Sequence, residues 1–407
     1  MRYTLLLILC LLGVSSAAWS KTAGFRIKGN ASSVKIPVEI QNNIILVPLK
    51  INDSFEMTFI LDTGVKSTIL TEPLVAKILG LELEHTVSIR GLGEGGSIPA
   101  SYAKDVEMSL PGIEGKGVNL LVLPEGVISY SEMFGRPVYG IIGFDIFGQF
   151  TVEINYHQEY IRLSYPFNVK PKTGKKWQSF PIELRKHKPY IEATLVDHLG
   201  VPRTSKWLLD TGASMAVSMF DDEFPVPQNT IDSFLGMGLS GNVYGKLGRS
   251  PRLIIGDYEL EGVITGYPDP TALNMVPTDT TWYGNMGAEI LSRFRVIFDY
   301  HQGKIYLRKN PSFGEDFEYN LSGLEVMAAG NEFERFVIAY VRPESPAHEA
   351  GLQQDDEIIS VNGQSTNGKT IEDLYGDLTK RPGKTLNLKV LRSGKMIRKK
   401  FRLIAEI

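Results

Sequence analysis

The chain has 407 residues, a length typical of two or three domains and sufficient to bury several cores. Its composition, 43% hydrophobic, 22% charged and 10% aromatic, is that of an ordinary folded protein and excludes collagen-like, disordered and coiled-coil chains. The formal charge of −3, from 43 basic and 46 acidic residues, gives no electrostatic signature of binding to nucleic acid or to an anionic membrane, so we expect neither partner.

The N-terminus has the pattern of a secretory signal peptide. Arg2 precedes an apolar run from Tyr3 to Val14, and the small residues Ser15 to Ala18 follow it. The run is too short to span a bilayer, and cleavage near Ala18 predicts a signal peptide over residues 1–18. The single cysteine, Cys10, lies in this run, so the mature chain would contain no disulfide. We expect an exported protein, periplasmic or secreted, with no membrane span after cleavage.

The segments that follow are mostly short, rich in β-branched or aromatic residues, and bounded by Gly, Pro or Asn, which predicts a mainly β structure. Met57 to Leu61 is typical of a buried strand and leads into a turn at Asp62-Thr63-Gly64. Glu72 to Leu79 predicts a helix, with Thr71 as its cap and Gly80 as its stop.

The same features return after a polar segment, Lys170 to Lys176, which we interpret as an exposed linker. Asp210-Thr211-Gly212 follows the apolar run Trp207 to Leu209 and lies 148 residues after the first Asp-Thr-Gly. Two further pairs of matching segments occur in the same order along the chain. The glycine-rich stretch Gly91 to Gly96 returns at an offset of 145, and Tyr139 to Leu163 returns at an offset of 144 with 11 of 25 positions identical. One unit therefore occurs twice, over residues 25–167 and 176–312.

The last segment, over residues 320–407, has no Asp-Thr-Gly and forms a third module. Phe336 to Val341 predicts a strand, and Ser345 to Gly351 predicts a short helix with a cap, an N1 proline and a glycine stop. Thr370 is the predicted cap of a second helix, Ile371 to Leu378. Two alternating strands, Leu386 to Leu391 and Lys400 to Leu403, complete the module.

The duplicated acidic motif carries the chemistry. Two similar lobes packed about a pseudo-twofold axis would bring Asp62 and Asp210 together at their junction. Two carboxylates in contact cannot both ionise cheaply, so they share one proton. One carboxylate then acts as the base toward a bound water, while the other, protonated, hydrogen-bonds the substrate carbonyl.

The neighbours of the two aspartates suit this task. Gly64 and Gly212 have no Cβ, so backbone N–H groups can approach the carboxylates. Thr63 and Thr211 have hydroxyls that can bond across the junction and fix the two turns. The alternative for each motif is a polar turn in which the aspartate bonds only its own backbone.

On these motifs each lobe resembles a retropepsin-like (retroviral-type) aspartic protease unit. The resemblance covers most of residues 40–310 and implies two pseudo-symmetric acid-protease β-barrel lobes, with Asp62 and Asp210 catalytic. It also implies flaps over the substrate, and these are carried by Gly91, Gly93, Gly236 and Gly238. Because both aspartates would lie in one chain, we expect a monomer.

This sequence departs from the family at three points. Lys66 stands where a small or acidic residue is usual, Asn285 replaces an apolar residue, and the second lobe has no clear counterpart of the helix Glu72 to Leu79. For Lys66 we leave open an exposed charge, a substrate contact and a partner for a carboxylate.

The third module resembles a PDZ domain of the kind attached to bacterial envelope proteases. The resemblance rests on Ser345-Pro346-Ala347, Ala350-Gly351-Leu352, Asp356-Glu357-Ile358 and Val361-Asn362-Gly363. It implies a groove that takes a C-terminal peptide as an added strand. In that groove Gly323 and Leu324 would belong to the capture loop, and Leu374 and Leu378 would line the second helix. The alternative is a PDZ module that serves only as a packed accessory lobe.

Other chemistries have weaker support. Both glycine-rich stretches match G-x-G-x-x-G, but the residues after them are typical of hairpin returns and not of the helix that a nucleotide site requires. The six histidines show no metal-ligand spacing, so we expect no metal and no cofactor. We therefore expect an exported aspartic endopeptidase acting on peptide or protein substrates. The alternative is a non-catalytic protein that binds peptides through its PDZ groove.

Overall fold

Strands dominate the secondary structure, as the sequence predicts. The computed structural model describes residues 23–166, 174, 176–221, 223–273, 282–379 and 381–407. The predicted signal peptide lies outside these residues, and so does most of the predicted linker. Over the residues described, no helix is long and apolar enough to cross a membrane.

The first lobe contains twelve strands and three short helices among the described residues. In chain order these are β1 (Gly24–Ile27), β2 (Ser33–Pro37), β3 (Glu39–Gln41), β4 (Ile44–Ile51), β5 (Met57–Leu61), β6 (Thr68–Leu70), α1 (Pro73–Ile78), β7 (Leu83–Ile89), β8 (Ile98–Leu110), β9 (Ile113–Val122), α2 (Tyr130–Phe134), β10 (Gly140–Ile142), α3 (Phe144–Phe147), β11 (Thr151–Asn155) and β12 (Tyr160–Ser164).

The second lobe repeats this order over its described residues, except that β1 and α1 have no counterpart there. Its elements are β13 (Gln178–Pro181), β14 (Glu183–Arg185), β15 (Lys188–Val196), β16 (Pro202–Leu209), β17 (Val217–Met219), β18 (Ile231–Gly238), β19 (Gly241–Ile255), β20 (Tyr258–Pro268), α4 (Pro270–Leu273), β21 (Trp282–Met286), α5 (Ala288–Leu291), β22 (Phe294–Asp299) and β23 (Lys304–Lys309).

The C-terminal module follows with its own sheet. Its elements are β24 (Leu324–Ala329), β25 (Arg335–Val341), α6 (Pro346–Glu349), β26 (Glu357–Val361), β27 (Gln364–Ser365), α7 (Ile371–Leu378), β28 (Thr385–Arg392) and β29 (Lys395–Arg402).

Each lobe closes into a six-stranded barrel. In the first lobe the ring runs β4-β5-β10-β6-β9-β8 and closes because β8 pairs back with β4. In the second lobe the ring runs β15-β16-β21-β17-β20-β19 and closes through the pairing of β15 with β19. The equivalent strands occur in the same order, so the prediction of two pseudo-symmetric β-barrel lobes is confirmed.

A shared six-stranded sheet joins the lobes, in the order β13-β23-β22-β11-β12-β2. At its centre β11 and β22 pair antiparallel, with Glu153 directly opposite Ile297. These two residues are 144 apart, which is the repeat offset of this part of the chain. This one pair therefore joins two equivalent positions, and the pseudo-twofold axis passes between them.

The two lobes share one hydrophobic core. A single cluster includes Phe147 and Phe150 from the first lobe together with Phe294 and Phe298 from the second, all four fully buried. The C-terminal module has a separate core around Phe336. The lobes therefore form one folding unit, with the third module packed beside it.

Most of the predicted helix signals are confirmed, with one correction. Thr370 caps α7 and forms a capping box with Asp373. The first-lobe helix, in contrast, begins at Pro73 with Glu72 as its N-cap, so the prediction of Thr71 as the cap was wrong. The Thr71 hydroxyl instead donates to the carbonyl of Tyr139, which ties the segment to the barrel.

Candidate active site

The two aspartates begin equivalent turns at the ends of β5 and β16. The backbone N–H of Asp62 donates to the carbonyl of Ile142 at 2.9 Å, and that of Asp210 donates to the carbonyl of Met286 at 2.9 Å. The accepting residues end β10 and β21, which run parallel to β5 and β16. Each turn is therefore fixed by an equivalent pair of parallel strands, β5 with β10 in the first lobe and β16 with β21 in the second.

The threonines of the two motifs tie the lobes together. The Thr63 hydroxyl donates to the carbonyl of Leu209 at 2.6 Å and accepts the backbone N–H of Thr211 at 3.1 Å. The Thr211 hydroxyl makes the mirror pair, donating to Leu61 and accepting from Thr63 at 2.8 and 3.0 Å. Both threonines are almost fully buried. These four bonds hold the turns in one fixed relation.

This arrangement brings Asp62 and Asp210 side by side, since a Cβ on Gly64 would lie 2.9 Å from Oδ1 of Asp62 and 3.6 Å from Oδ1 of Asp210. The backbone N–H of Gly64 donates to Asp62 at 2.5 Å, and that of Gly212 donates to Asp210 at 3.0 Å. A Cβ on Gly212 would lie 2.8 Å from Oδ1 of Asp62 and closer still to the rest of that carboxyl group. Only glycine leaves room here for the second carboxyl.

Proximity and burial change the acidity of both groups. Burial, followed by the negative charge of Asp210, raises the pKa of Asp62 to about 7. Burial also raises the pKa of Asp210, but the charge of Lys188 and the hydrogen bond from Gly212 oppose that increase. The pair can therefore hold one proton at a pH where isolated aspartates are ionised, which suits one acid and one base.

Two residues beside Asp210 extend the predicted site. The side-chain amide of Asn285 donates to Oδ2 of Asp210 at 2.7 Å. Lys188, at the start of β15, acts on both carboxyls through its charge. In the sequence Asn285 stands out only as a departure from the family, and Lys188 was not among the predicted site residues. The repeat could have indicated Lys188, because it stands at the position of the apolar Ile44 in the first lobe.

The glycine-rich stretches lie where two hairpins meet tip to tip. The backbone N–H of Gly95 donates to the carbonyl of Ser240 at 2.7 Å, and the N–H of Ser240 donates to the carbonyl of Leu92 at 2.9 Å. The Ser240 hydroxyl also accepts the N–H of Gly91 at 3.1 Å. Gly93 has a φ of +123°, and a Cβ there would lie 2.6 Å from the backbone N of Gly241.

The predicted second-lobe flap residues lie on the hairpin formed by β18 and β19. Gly236 and Gly238 both lie on β18, and Gly238 packs so closely on the backbone of Leu92 that a Cβ would clash. The two stretches thus meet as hairpin tips and do not form the turn before a helix that a nucleotide site needs.

A cavity of about 990 Å³ opens between the second-lobe hairpin and the C-terminal module. One of its lining residues, Ser214, lies two residues after Gly212 of the second Asp-Thr-Gly turn. Its lining includes Ser214, Met215, Met237, Tyr244, Val326 and Tyr340. The rings of Tyr244 and Tyr340 lie 5.5 Å apart, so the third module is in contact with the hairpin of the second lobe.

The residues predicted to form the peptide groove of the third module lie largely in its core. Leu324, Leu374 and Leu378 are fully buried. Gly323 has a φ of +78° and lies against the side chain of Ser345. In this conformation the leucines are packed against the module itself, with no exposed surface for a ligand.

The edge to which a peptide strand would add is also occupied. β24 is an edge strand, and the Tyr375 hydroxyl of α7 accepts the N–H of Val326 at 3.2 Å and lies within hydrogen-bonding distance of its carbonyl. The same hydroxyl bonds the buried carboxyl of Glu325 at 2.9 Å. The N–H of Leu324 donates to the Ser322 hydroxyl. These contacts within the module bond the part of the edge at Leu324 to Val326, whereas Met327, Ala329 and Gly376 farther along the same groove line the 990 Å³ cavity.

Two further expectations concern charge and metals. Lys66 is exposed and follows the Asp62 turn. Among the residues described, no group of three or more His, Cys, Asp or Glu could hold a metal ion.

Comparisons with known families match both parts of this architecture. The family described as "Aspartyl protease" matches residues 47–146, which include Asp62 and the barrel strands around it. The family described as "PDZ domain" matches residues 337–392.

Individual relatives match over short regions. The carboxy-terminal processing protease CtpB of Bacillus subtilis (strain 168) is 29% identical over 101 residues, which cover 24% of this chain and 21% of that protein. The solved structure of the photosystem II D1 C-terminal processing protease covers 21% of this chain and 23% of its own, at 20% identity and a TM-score of 0.20. The chain thus spans about a fifth of each relative. This chain therefore has a first barrel that matches an aspartyl protease family, a second barrel of equivalent strand order, and a C-terminal module that matches a PDZ domain.

Proposed function

We propose that this chain is an exported aspartic endopeptidase, with Asp62 and Asp210 as its catalytic pair. The observation that carries the proposal is the contact between these carboxyls at the junction of two equivalent barrels. The proposal includes a signal peptide over residues 1–18, lobes over 25–167 and 176–312, and a PDZ domain over 320–407.

In the reaction a water molecule attacks the carbonyl carbon of the peptide bond. One aspartate takes a proton from this water, and the other donates its proton to the carbonyl oxygen, which gives a neutral tetrahedral diol. The C–N bond then breaks, and the leaving nitrogen takes the proton that the first aspartate had received. The diol returns its proton to the second aspartate, so the pair ends as it began. Thr63, Thr211, Gly64 and Gly212 keep the two carboxyls in the required geometry.

The substrate is an extended polypeptide covered by the two hairpins. These hairpins are hydrogen-bonded tip to tip, so a substrate enters only when they separate. One end of the polypeptide extends into the cavity between the second-lobe hairpin and the PDZ domain. The PDZ domain contributes a wall of the substrate cleft.

The test is digestion of a peptide library by the purified chain. We expect cleavage by the wild type and a loss of about 10³-fold or more in kcat/KM for Asp62→Asn and for Asp210→Asn. Asp53→Asn is the matched control, because Asp53 is an exposed turn residue before β5 with a φ of +51°, a conformation that asparagine also adopts. Full activity in either dyad variant contradicts the proposal.

The alternative of a non-catalytic protein acting through its PDZ groove has less support. The groove edge is bonded to Tyr375, and the side chains expected to line the groove are in the core. A pure binder would bind library peptides without cleaving them, whereas the proposed enzyme releases products.

A further inference from the structure

The two carboxyls lie in different surroundings, although the barrels around them are equivalent. On the first-lobe side Ile44 and Ile141 belong to a buried apolar cluster. At the corresponding repeat positions of the second lobe stand Lys188 and Asn285. Both replacements exchange an apolar side chain for one that can donate hydrogen bonds, and both lie beside the dyad.

The strand register fixes this correspondence. Leu46 pairs with Ile60 in the first barrel, and Tyr190 pairs with Leu208 in the second. Lys188 lies two residues before Tyr190, as Ile44 lies two residues before Leu46. Asn285 pairs with Leu208 across the parallel strands β16 and β21, as Ile141 pairs with Ile60.

Asn285 supplies a hydrogen bond to only one carboxyl. It is 4% exposed, and its amide donates to Oδ2 of Asp210 at 2.7 Å. Oδ1 of Asp210 accepts the N–H of Gly212 at the same time. At Asp62 the matching strand position is Ile141, which has no donor to offer, and the carboxyl accepts the N–H of Gly64.

A carboxylate that accepts several hydrogen bonds is stabilised in its charged form. The charge of Lys188 acts in the same direction and is the largest influence that opposes burial at Asp210. Among the residues described, Tyr130, Tyr190 and Tyr300 also interact electrostatically with the dyad. Their pKa values are raised by burial, so these phenols stay neutral across the range in which the aspartates titrate.

We propose that Asn285, supported by Lys188, is a positioning residue that keeps the negative charge of the dyad on Asp210 and its single proton on Asp62. Asp210 is then the base that takes the proton from water, and Asp62 is the acid that protonates the carbonyl oxygen. These roles rest on the proposed function, whereas the placement of the proton is a property of the free protein.

The direct test titrates each carboxyl alone by ¹³C NMR of the full chain labelled at aspartate. In Asp62→Asn only the carboxyl of Asp210 can titrate, and in Asp210→Asn only that of Asp62. The two variants are comparable because each remaining carboxyl has an asparagine amide beside it. We expect Asp210 to titrate at least about one pH unit below Asp62. Equal values, or a lower value for Asp62, overturn the proposal.

The contribution of Asn285 is measured in the Asp62→Asn background. Asn285→Leu removes the amide while keeping the branching and the number of heavy atoms of the side chain, and it should raise the pKa of Asp210 by about one unit. Asn285→Ala repeats the test with a smaller side chain, and Lys188→Met removes the charge while keeping an unbranched side chain. Ile141→Leu is the matched control and should leave the titration unchanged. An unchanged pKa in the folded Asn285 variants overturns the role of Asn285.

Activity supplies a second readout that separates the two claims. In otherwise wild-type protein, Asn285→Leu should move the acidic limb of the kcat/KM profile upward by about one pH unit. A merely structural role would lower kcat/KM equally at every pH. If the NMR difference is found but the wild type cleaves no peptide, the proposed function fails and the proton placement stands. If peptides are cleaved and the carboxyls titrate alike, the proposed function stands and the proton placement fails.

Discussion

At the scale of single residues, the site depends on short polar side chains that cross the junction between the lobes. Each threonine of the Asp-Thr-Gly motifs satisfies a backbone donor and a backbone acceptor of the opposite lobe. Buried backbone groups are costly to leave unpaired, so these hydroxyls contribute more than ordinary surface hydrogen bonds.

Thr63→Val tests this contribution. Valine has the same shape but leaves the carbonyl of Leu209 and the N–H of Thr211 without their partner. We expect the free energy of unfolding in urea to fall by about 2 kcal/mol or more. Thr204→Val is the control, because the bond between the hydroxyls of Thr204 and Thr194 is exposed to solvent, and it should change stability by less than about 0.5 kcal/mol. Equal losses of unfolding free energy in the two variants would show that the Thr63 hydroxyl contributes no more than a surface hydrogen bond.

The raised pKa of Asp62 predicts how stability depends on pH. Asp62 ionises near 3.8 in the unfolded chain, but the folded chain retains its proton up to about pH 7. The folded state therefore binds more protons between these values, and its stability decreases as pH rises through that window. Asp62→Asn should reduce this decrease, measured by urea unfolding at pH 4.5 and 7.5, whereas Asp53→Asn should keep it. An unchanged slope in Asp62→Asn would argue against an elevated pKa.

Much of the dyad's immediate surroundings could be predicted from sequence, because Asp62, Thr63, Gly64 and their repeats are contiguous motifs. Asn285 was visible only as a departure from a pattern, and Lys188 was not identified. Both lie far along the chain from Asp210, and only the register of β15, β16 and β21 brings them together. Contacts that depend on strand register are poorly specified by local sequence.

At the scale of elements, hydrogen bonds join the tips of the two hairpins and hold the edge strand of the PDZ module against α7. Ser240 bridges the hairpin tips by accepting from Gly91 and donating to the carbonyl of Gly96. We expect Ser240→Ala to weaken the closed state, so the amides of residues 91–96 should exchange with deuterium several-fold faster. Ser54→Ala, at a distant turn, is the control. Unchanged exchange in Ser240→Ala would show that the tips are held by their backbone bonds alone.

The PDZ edge gives a second prediction at this scale. Tyr375→Phe removes the hydroxyl that bonds Val326 and Glu325. The N–H of Val326 should then exchange faster with deuterium and become available to an added peptide strand. We expect binding of C-terminal peptides to be stronger in Tyr375→Phe than in the wild type. If the wild type binds such peptides with equal affinity, the hydroxyl does not close the groove.

Sequence analysis predicted these elements better than their interactions. The helix Ile371 to Leu378 and its cap are found as predicted, because capping residues act locally. The burial of Leu374 and Leu378 could not be predicted, because it depends on how α7 packs on β24. The boundary error at Thr71 has the same origin, since its hydroxyl is taken by Tyr139, a residue far away in the chain.

At the scale of the whole molecule, the lobes share a core and a central sheet, whereas the PDZ domain has its own core. We expect the lobes to unfold as one unit. Phe298→Ala should therefore destabilise both lobes by about 3–5 kcal/mol, as measured by calorimetry of the full chain. Leu388→Ala, in the PDZ core, should instead shift a separate transition. Independent unfolding of the two lobes would contradict a shared core.

The most direct test of a catalytic aspartate pair is the affinity of a peptide that mimics the tetrahedral diol. Calorimetry should show that this mimic binds the wild type at least about 10²-fold more tightly than the matching ordinary peptide. Asp62→Asn and Asp210→Asn should each abolish that preference while still binding the ordinary peptide. A mimic that binds no better than the ordinary peptide, or a preference that survives both substitutions, would contradict a catalytic pair of aspartates.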